Sequence, residues 1–254
     1  VLDLSGFEEL LPSPVLRHEV PTAKAVWIIS FGAPFELLYR HETDGYAVRE
    51  GSFVAGLHDR AAQNRSTGLS HCLQVNFTLL GARLFFARPL QDLTNRIVAL
   101  PDLLGGEAGR LEDRLHAQPD WPSRFALVTG LIRERIHAAS WPRRDLLWAW
   151  RQIEASRGCC GIGALAKALD ISRKHLVQRF RSEIGLPPKT LARMLRFECA
   201  LEGLGSGRQR NLAALALEAG YCDRDFRAFA GFTPSEYLGR LLADGTGVIA
   251  DQAG

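Results

Sequence analysis

Residues 163–191 read GALAKALDISRKHLVQRFRSEIGLPPKTL, and their spacing decides the architecture of the C-terminal half. Leu165, Ala166 and Leu169 share one apolar helix face, and Asp170-Ile171 makes a tight turn. Ser172 is placed to cap a second helix by accepting a backbone N–H. On that helix Leu176, Phe180 and Ile184 fall at i, i+4 and i+8 and must face inward. At ~100° per residue, Lys174, His175, Gln178 and Arg181 then point away from the core. This is a helix-turn-helix whose second helix offers long hydrogen-bond donors, the arrangement of a major-groove reader. Gln pairs bidentately with adenine and Lys donates to guanine, so these types read bases. An ordinary helical hairpin with a polar outer face is the competing reading.

Charge is distributed to match. The chain of 254 residues carries a net charge of +3, yet residues 1–140 hold 14 Lys/Arg against 16 Asp/Glu and residues 141–254 hold 17 against 12. Between Ser172 and Arg196 stand seven Lys/Arg and a single acid, Glu183. Such a cluster fits the electrostatic footprint of a partner with a phosphate backbone, with a solvated helix face as the competing reading of charge alone. A second unit follows the first. Asn211 is a cap for LAALALEAGY (212–221), and the chain then turns through Gly220-Tyr221 into Asp223. Two such units joined by a long helix at 188–204 would set two helices in successive major grooves, about 34 Å apart. Gly203-Leu-Gly-Ser-Gly207 has neither the lysine of a phosphate loop nor a preceding strand, and reads as a connection.

These residues resemble the DNA-binding domain of AraC/XylS-family transcriptional regulators. The likeness rests on ALAKALDISRKHLVQRFRSEIGLPP, on ARMLRFECAL (192–201) in the linking helix, and on LAALALEAGY with FRAFAGFTPSEY (226–237). It implies a domain at 140–254 with helix-turn-helix units at about 162–185 and 211–231. By position, Lys174, Val177 and Gln178 would meet bases. Arg173, Arg179 and Arg181 would lie nearer the backbone, and Ser172 and His175 also belong to the DNA-binding set. Arg196 would orient the linking helix or touch phosphate, and Arg224 and Arg227 would serve the second unit. The segment from Tyr221 to Gly231 is about five residues shorter than the family pattern. A true deletion would remove the first turn and a half of the second recognition helix and empty an aromatic socket, costing ~3–5 kcal/mol. Further residues are therefore expected between Asp223 and Arg224.

The first hundred residues change character. VWIISF (26–31), FELLYR (35–40), YAVRE (46–50), FVAGLH (53–58) and LQVNFTLL (73–80) are short β-branched or aromatic runs separated by turn formers, with Asp44-Gly45 as a hairpin signal. Helical spacing takes over at 107–116 and 123–138, then a break at SWPRR (140–144) precedes a helix running to about Ser156. The expected fold is α+β, with an N-terminal cupin-like β-barrel and flanking helices over 1–139, where such regulators carry a sensor. Trp27, Phe35, Tyr39, Phe53 and His58 are candidate effector-binding residues at a barrel mouth, core packing being the alternative for each. The helices at 107–138 would either form a homodimer or pack on the barrel. His58 and His71 are isolated from the HxH pattern of a metal-bearing cupin, so no metal and no other cofactor is expected.

Composition bounds the function classes. Hydrophobic content of 46% and charged content of 23% are those of a globular protein, and no apolar run reaches the ~18 residues of a membrane span. The N-terminal VLDLSGFEELLPSP is acidic and broken by prolines, unlike a secretory leader. Five cysteines at irregular spacing suggest a reduced cytoplasmic chain, with Cys159-Cys160 as bystanders. The sequence thus points to a bacterial regulator that binds promoter DNA, answers a small-molecule effector, and engages RNA polymerase if it activates. No nucleophile–base pair or phosphate loop marks an enzyme. A DNA-repair protein with a reactive Cys72 and a nonspecific DNA binder are the alternatives.

Overall fold

A computed structural model describes residues 1–10, 15–39, 46–66, 69–205, 223–240 and 248–249. Its N-terminal part holds two antiparallel sheets. The first contains β1 (Asp3–Leu10), β3 (Lys24–Ser30), β6 (Phe53–Ala55), β8 (Leu69–Thr78) and β9 (Ile97–Ala99), in the order β1-β8-β3-β6-β9. The second contains β2 (Val15–Glu19), β4 (Phe35–Tyr39), β5 (Tyr46–Glu50), β7 (Ala62–Ser66) and β10 (Val248–Ile249), in the order β10-β2-β7-β4-β5. The N-terminal part has the expected mix of strands with flanking helices, but the barrel is not closed. No backbone pairing joins the two sheets among the described residues.

The central strands of the first sheet are buried on both faces. Trp27, Ile29, Leu73, Val75 and Phe77 form one face, covered by α1 (Leu79–Phe85) and α4 (Trp121–Ala138). Ile28, Phe53 and Cys72 form the other, packed with Leu37 of the second sheet. The run expected as strand to residue 80 stops at Thr78, because the Thr78 hydroxyl accepts from the Gly81 amide at 3.0 Å and starts α1. A 3-10 turn at Leu90–Leu93, α2 (Leu100–Leu104) and α3 (Glu107–His116) complete this half.

The C-terminal half is helical: α5 (Arg144–Ala155), α6 (Ile162–Ala168), α7 (Arg173–Ile184), α8 (Pro188–Gly205), α9 (Asp223–Ala230) and α10 (Pro234–Gly239). Chain continuity corrects one expectation. Asp223 and Arg224 are consecutive residues of α9. Phe226 and Phe229 are buried against Phe197 of α8, with ring centroids 5.0 and 5.4 Å apart, and Tyr237 closes the cluster edge-on. The expected helix at 211–219 with its Asn211 cap, the Gly220-Tyr221 turn, Cys222 and the Asp44-Gly45 turn lie outside the described residues.

The two halves share one hydrophobic cluster, from Trp27 and Phe77 through Phe85 and Leu93 to Leu176, Phe180 and Phe197. Three polar contacts reinforce it. Arg83 of α1 pairs with Glu183 of α7 at 2.9 Å, the Ala23 amide donates to Glu198 of α8 at 2.8 Å, and His18 meets the Ala230 carbonyl at 2.6 Å.

Candidate nucleic-acid interface

The turn between α6 and α7 is built as its residues dictate. The Leu169 amide donates to Leu165, Asp170 to Lys167 and Ile171 to Ala166, closing the end of α6. Asp170 takes φ +52°, a left-handed conformation that Asp adopts more readily than most residues. Ser172 is extended, and its hydroxyl accepts from the His175 amide at 3.1 Å, a cap worth ~1 kcal/mol. Leu176, Phe180 and Ile184 are buried, which fixes the rotation of α7. Ser172, Arg173, Lys174, His175, Gln178 and Arg181 are exposed and Val177 is half-buried. Lys174, His175, Gln178 and Arg181 share the outer side of one helix.

Two arginines of the expected set are engaged within the protein. Arg179 is half-buried and ion-paired with Asp145 of α5, which Arg143 also approaches at 3.3 Å. Burial pushes the Asp145 carboxyl up, but hydrogen bonds from Arg143 and the Leu146 amide, with the Arg179 and Arg143 charges, outweigh it and hold the group below its ordinary value. Arg196 is also half-buried and donates to the Gly158 carbonyl, tying α8 to the turn after α5. Its geometry is that of a brace. Arg224 and Arg227 are exposed on α9, one turn apart. Arg193 locks α9 to α8 through Asp225 at 2.7 Å and stacks over Phe229, its guanidinium carbon 5.2 Å from the ring centroid.

A separate cavity of about 900 Å3 lies between the two sheets. Of the candidate effector residues, Phe35, Phe53 and His58 line it. Trp27 does not: it points to the opposite face of β3 and packs on Phe77 and Phe85. The Tyr39 side chain lies outside the described residues. Sequence reasoning missed the polar end, where Arg17, Glu19, Lys24, Asn64, Gln74 and Asn76 face inward. Burial pushes the Glu19 carboxyl up, opposed by the Asn64 hydrogen bond and the Arg17 charge. Asn64 Nδ2 donates to Glu19 at 3.1 Å, while its Oδ1 is buried with no protein donor among the described residues. Burial likewise pushes the His58 imidazole down, against a 2.9 Å hydrogen bond with the Gly56 carbonyl.

Cys72 is fully buried, and burial pushes its thiol up to about 11. Among the described residues no group of His, Cys, Asp and Glu is arranged to hold a metal ion. None of the described helices is long and apolar enough to cross a membrane.

Residues 165–240 match a family model described as a helix-turn-helix domain, of AraC type. No curated protein matches the chain. Among solved structures, an apo variant of ToxT from Vibrio cholerae aligns over 94% of this chain and 97% of its own, with 10% identity and a TM-score of 0.50. Unsaturated fatty acid-bound wild-type ToxT from the same organism aligns over 93% and 94%, with 10% identity and a TM-score of 0.49. The AraC-like transcriptional activator CuxR aligns over 70% and 73%, with 17% identity and a TM-score of 0.29. The likeness to the apo structure is one of fold, and it extends to both halves.

Proposed function

We propose that this chain, which carries an AraC-type helix-turn-helix domain at residues 165–240, is a sequence-specific DNA-binding transcriptional regulator. The observation that supports this most directly is the outer side of α7, a capped helix held by three buried residues and presenting Lys174, His175, Gln178 and Arg181 to solvent. In this reading Lys174, Val177 and Gln178 contact bases in the major groove. Ser172, Arg173, His175 and Arg181 contact phosphates, and Arg224 and Arg227 serve a second contact. Residues 140–254 bind DNA and residues 1–139 sense or dimerise. The working compartment is the cytoplasm, with RNA polymerase as the partner of an activator.

Selection of random duplexes by the purified protein at about 150 mM salt, followed by sequencing, tests the reading. A recovered motif bound at least ~100-fold more tightly than bulk DNA is the expected result. Uniform binding with a steep salt dependence would instead identify a nonspecific duplex binder. The DNA-repair alternative needs an accessible thiolate, and the burial and raised pKa of Cys72 oppose it.

The cavity supports an effector site. Ile28, Leu37, Phe35 and Phe53 offer an apolar end, and Glu19, Asn64 and Lys24 a polar one, so the ligand is a small amphiphile. Its polar group would donate to Asn64 Oδ1. A thermal-shift screen of small metabolites on the intact chain should find ligands that raise its melting temperature, and Asn64→Ala should abolish the shift.

A further inference from the structure

We propose that the exposed face of α5 and the chain entering it, Trp141, Arg143, Arg144, Trp148 and Arg151, form a clamp for the DNA backbone beside the groove that α7 enters. The proposal rests on the DNA-binding reading above and adds a contact outside both helix-turn-helix units.

Trp141 and Trp148 are exposed, at 58% and 39%, which is unusual for residues of this size. The same segment holds three exposed arginines, and from Trp141 to Gln152 the sole acid is Asp145. That acid is occupied by Arg179 of α7 and approached by Arg143. Arg144, Trp148 and Arg151 recur at i, i+4 and i+7, so they share one outward face of α5.

The Arg179–Asp145 pair gives this patch its position. On α7, Arg179 lies about a quarter-turn from the centre of the outer side, toward His175. Asp145 therefore holds the first turn of α5 against the flank of α7. A major groove about 12 Å wide is nearly filled by a helix 10–12 Å across, so whatever flanks an inserted helix meets the phosphate backbone. Arg143 and Arg144 adjoin Asp145 and reach that backbone with one side-chain length. An acidic protein surface is the competing partner, but Arg179 binds the patch to the reader itself, which favours the same duplex.

Binding of the full chain to its selected duplex and to a random duplex, measured across salt concentrations for wild type and for R143A/R144A, tests the clamp. Loss of two phosphate contacts should lower the log–log salt slope by about 1.8. It should weaken both duplexes by roughly 10- to 30-fold near 150 mM salt, with sequence preference unchanged. The charge-matched control R96A/R133A, at exposed positions of the N-terminal half, should leave the slope as it is. Phosphate-ethylation interference should lose two positions flanking the α7 site in R143A/R144A only. A melting curve confirms that each variant is folded. An unchanged slope and interference pattern in folded R143A/R144A would overturn the clamp and leave the patch as a protein-docking face. Failure of wild type to prefer any sequence would overturn the regulator reading instead.

Discussion

Gln178 and Arg181 stand one turn apart on α7, both exposed, and in the proposed reading they would ask different things of DNA. Gln178 is nearly opposite the buried stripe and suited to a base edge, whereas Arg181 lies toward the side, where phosphates run. Gln178→Ala should cost ~1–3 kcal/mol on the selected site and relax preference at one or two base pairs. Arg181→Ala should weaken selected and random duplexes alike and reduce the salt slope by about 1. Competition binding over a panel of single-base variants separates the two, and equal effects on every sequence would mean the face is misassigned. Asp145 makes a prediction of another kind. Its folded carboxyl lies below the unfolded value of 3.8. The stability it supplies is therefore present above pH ~3.8 and lost as pH falls through the lower folded value. Acid titration of the melting temperature should show this loss, and Asp145→Asn should flatten that part of the curve.

At the scale of elements, the end of α7 packs on the 3-10 turn of the N-terminal half. Gly185 closes the helix at φ +91°, and a Cβ there would sit 1.9 Å from Thr94 Oγ1 and 3.0 Å from the Leu90 carbonyl. Gly185→Ala combines an unfavourable backbone with a steric conflict, so destabilisation of more than ~1 kcal/mol is expected by denaturant titration. A variant as stable as wild type would show that the 3-10 turn yields freely.

The α6–α7 unit was legible in the sequence because its apolar spacing, its turn and its cap all agree. Strands β1, β2 and β7 were not, and the cavity explains why. Their inward side chains include Glu9, Arg17, Glu19 and Asn64, which line a polar space instead of a core, so the apolar alternation that marks a half-buried strand is missing. Trp27 shows the converse difficulty. Both faces of β3 are buried, and nothing in VWIISF says which one looks into the cavity. Arg196, expected to orient the linking helix or touch phosphate, donates to the Gly158 carbonyl.

For the whole molecule, the shared cluster from Trp27 to Phe197 leaves no apolar seam along which the halves could part without exposing core. Arg83–Glu183 and Ala23–Glu198 add polar links across the same boundary. Calorimetry of the intact chain should therefore record one cooperative transition, broadened or split in R83A/E198A. Two resolved transitions in wild type would show that the halves fold separately. The loop joining β2 to β3 contributes Val20, Pro21 and Thr22 to the cavity wall, and its Ala23 amide rests on Glu198 of α8. The segment that lines the cavity is therefore the same one that grips α8.

The pairing of Val248 and Ile249 with His18 and Arg17 has a consequence for how the protein is made. Synthesis is vectorial, and the strand that covers the β2 edge emerges only after the helical half has left the ribosome. Until then β2 offers a row of unpaired amides and carbonyls to any passing chain. Growing chains should depend on chaperones longer than the size of the N-terminal half suggests. A chain ended at Arg240 should aggregate in light scattering under conditions that leave the longer one clear, and equal clarity would mean that the edge needs no cover.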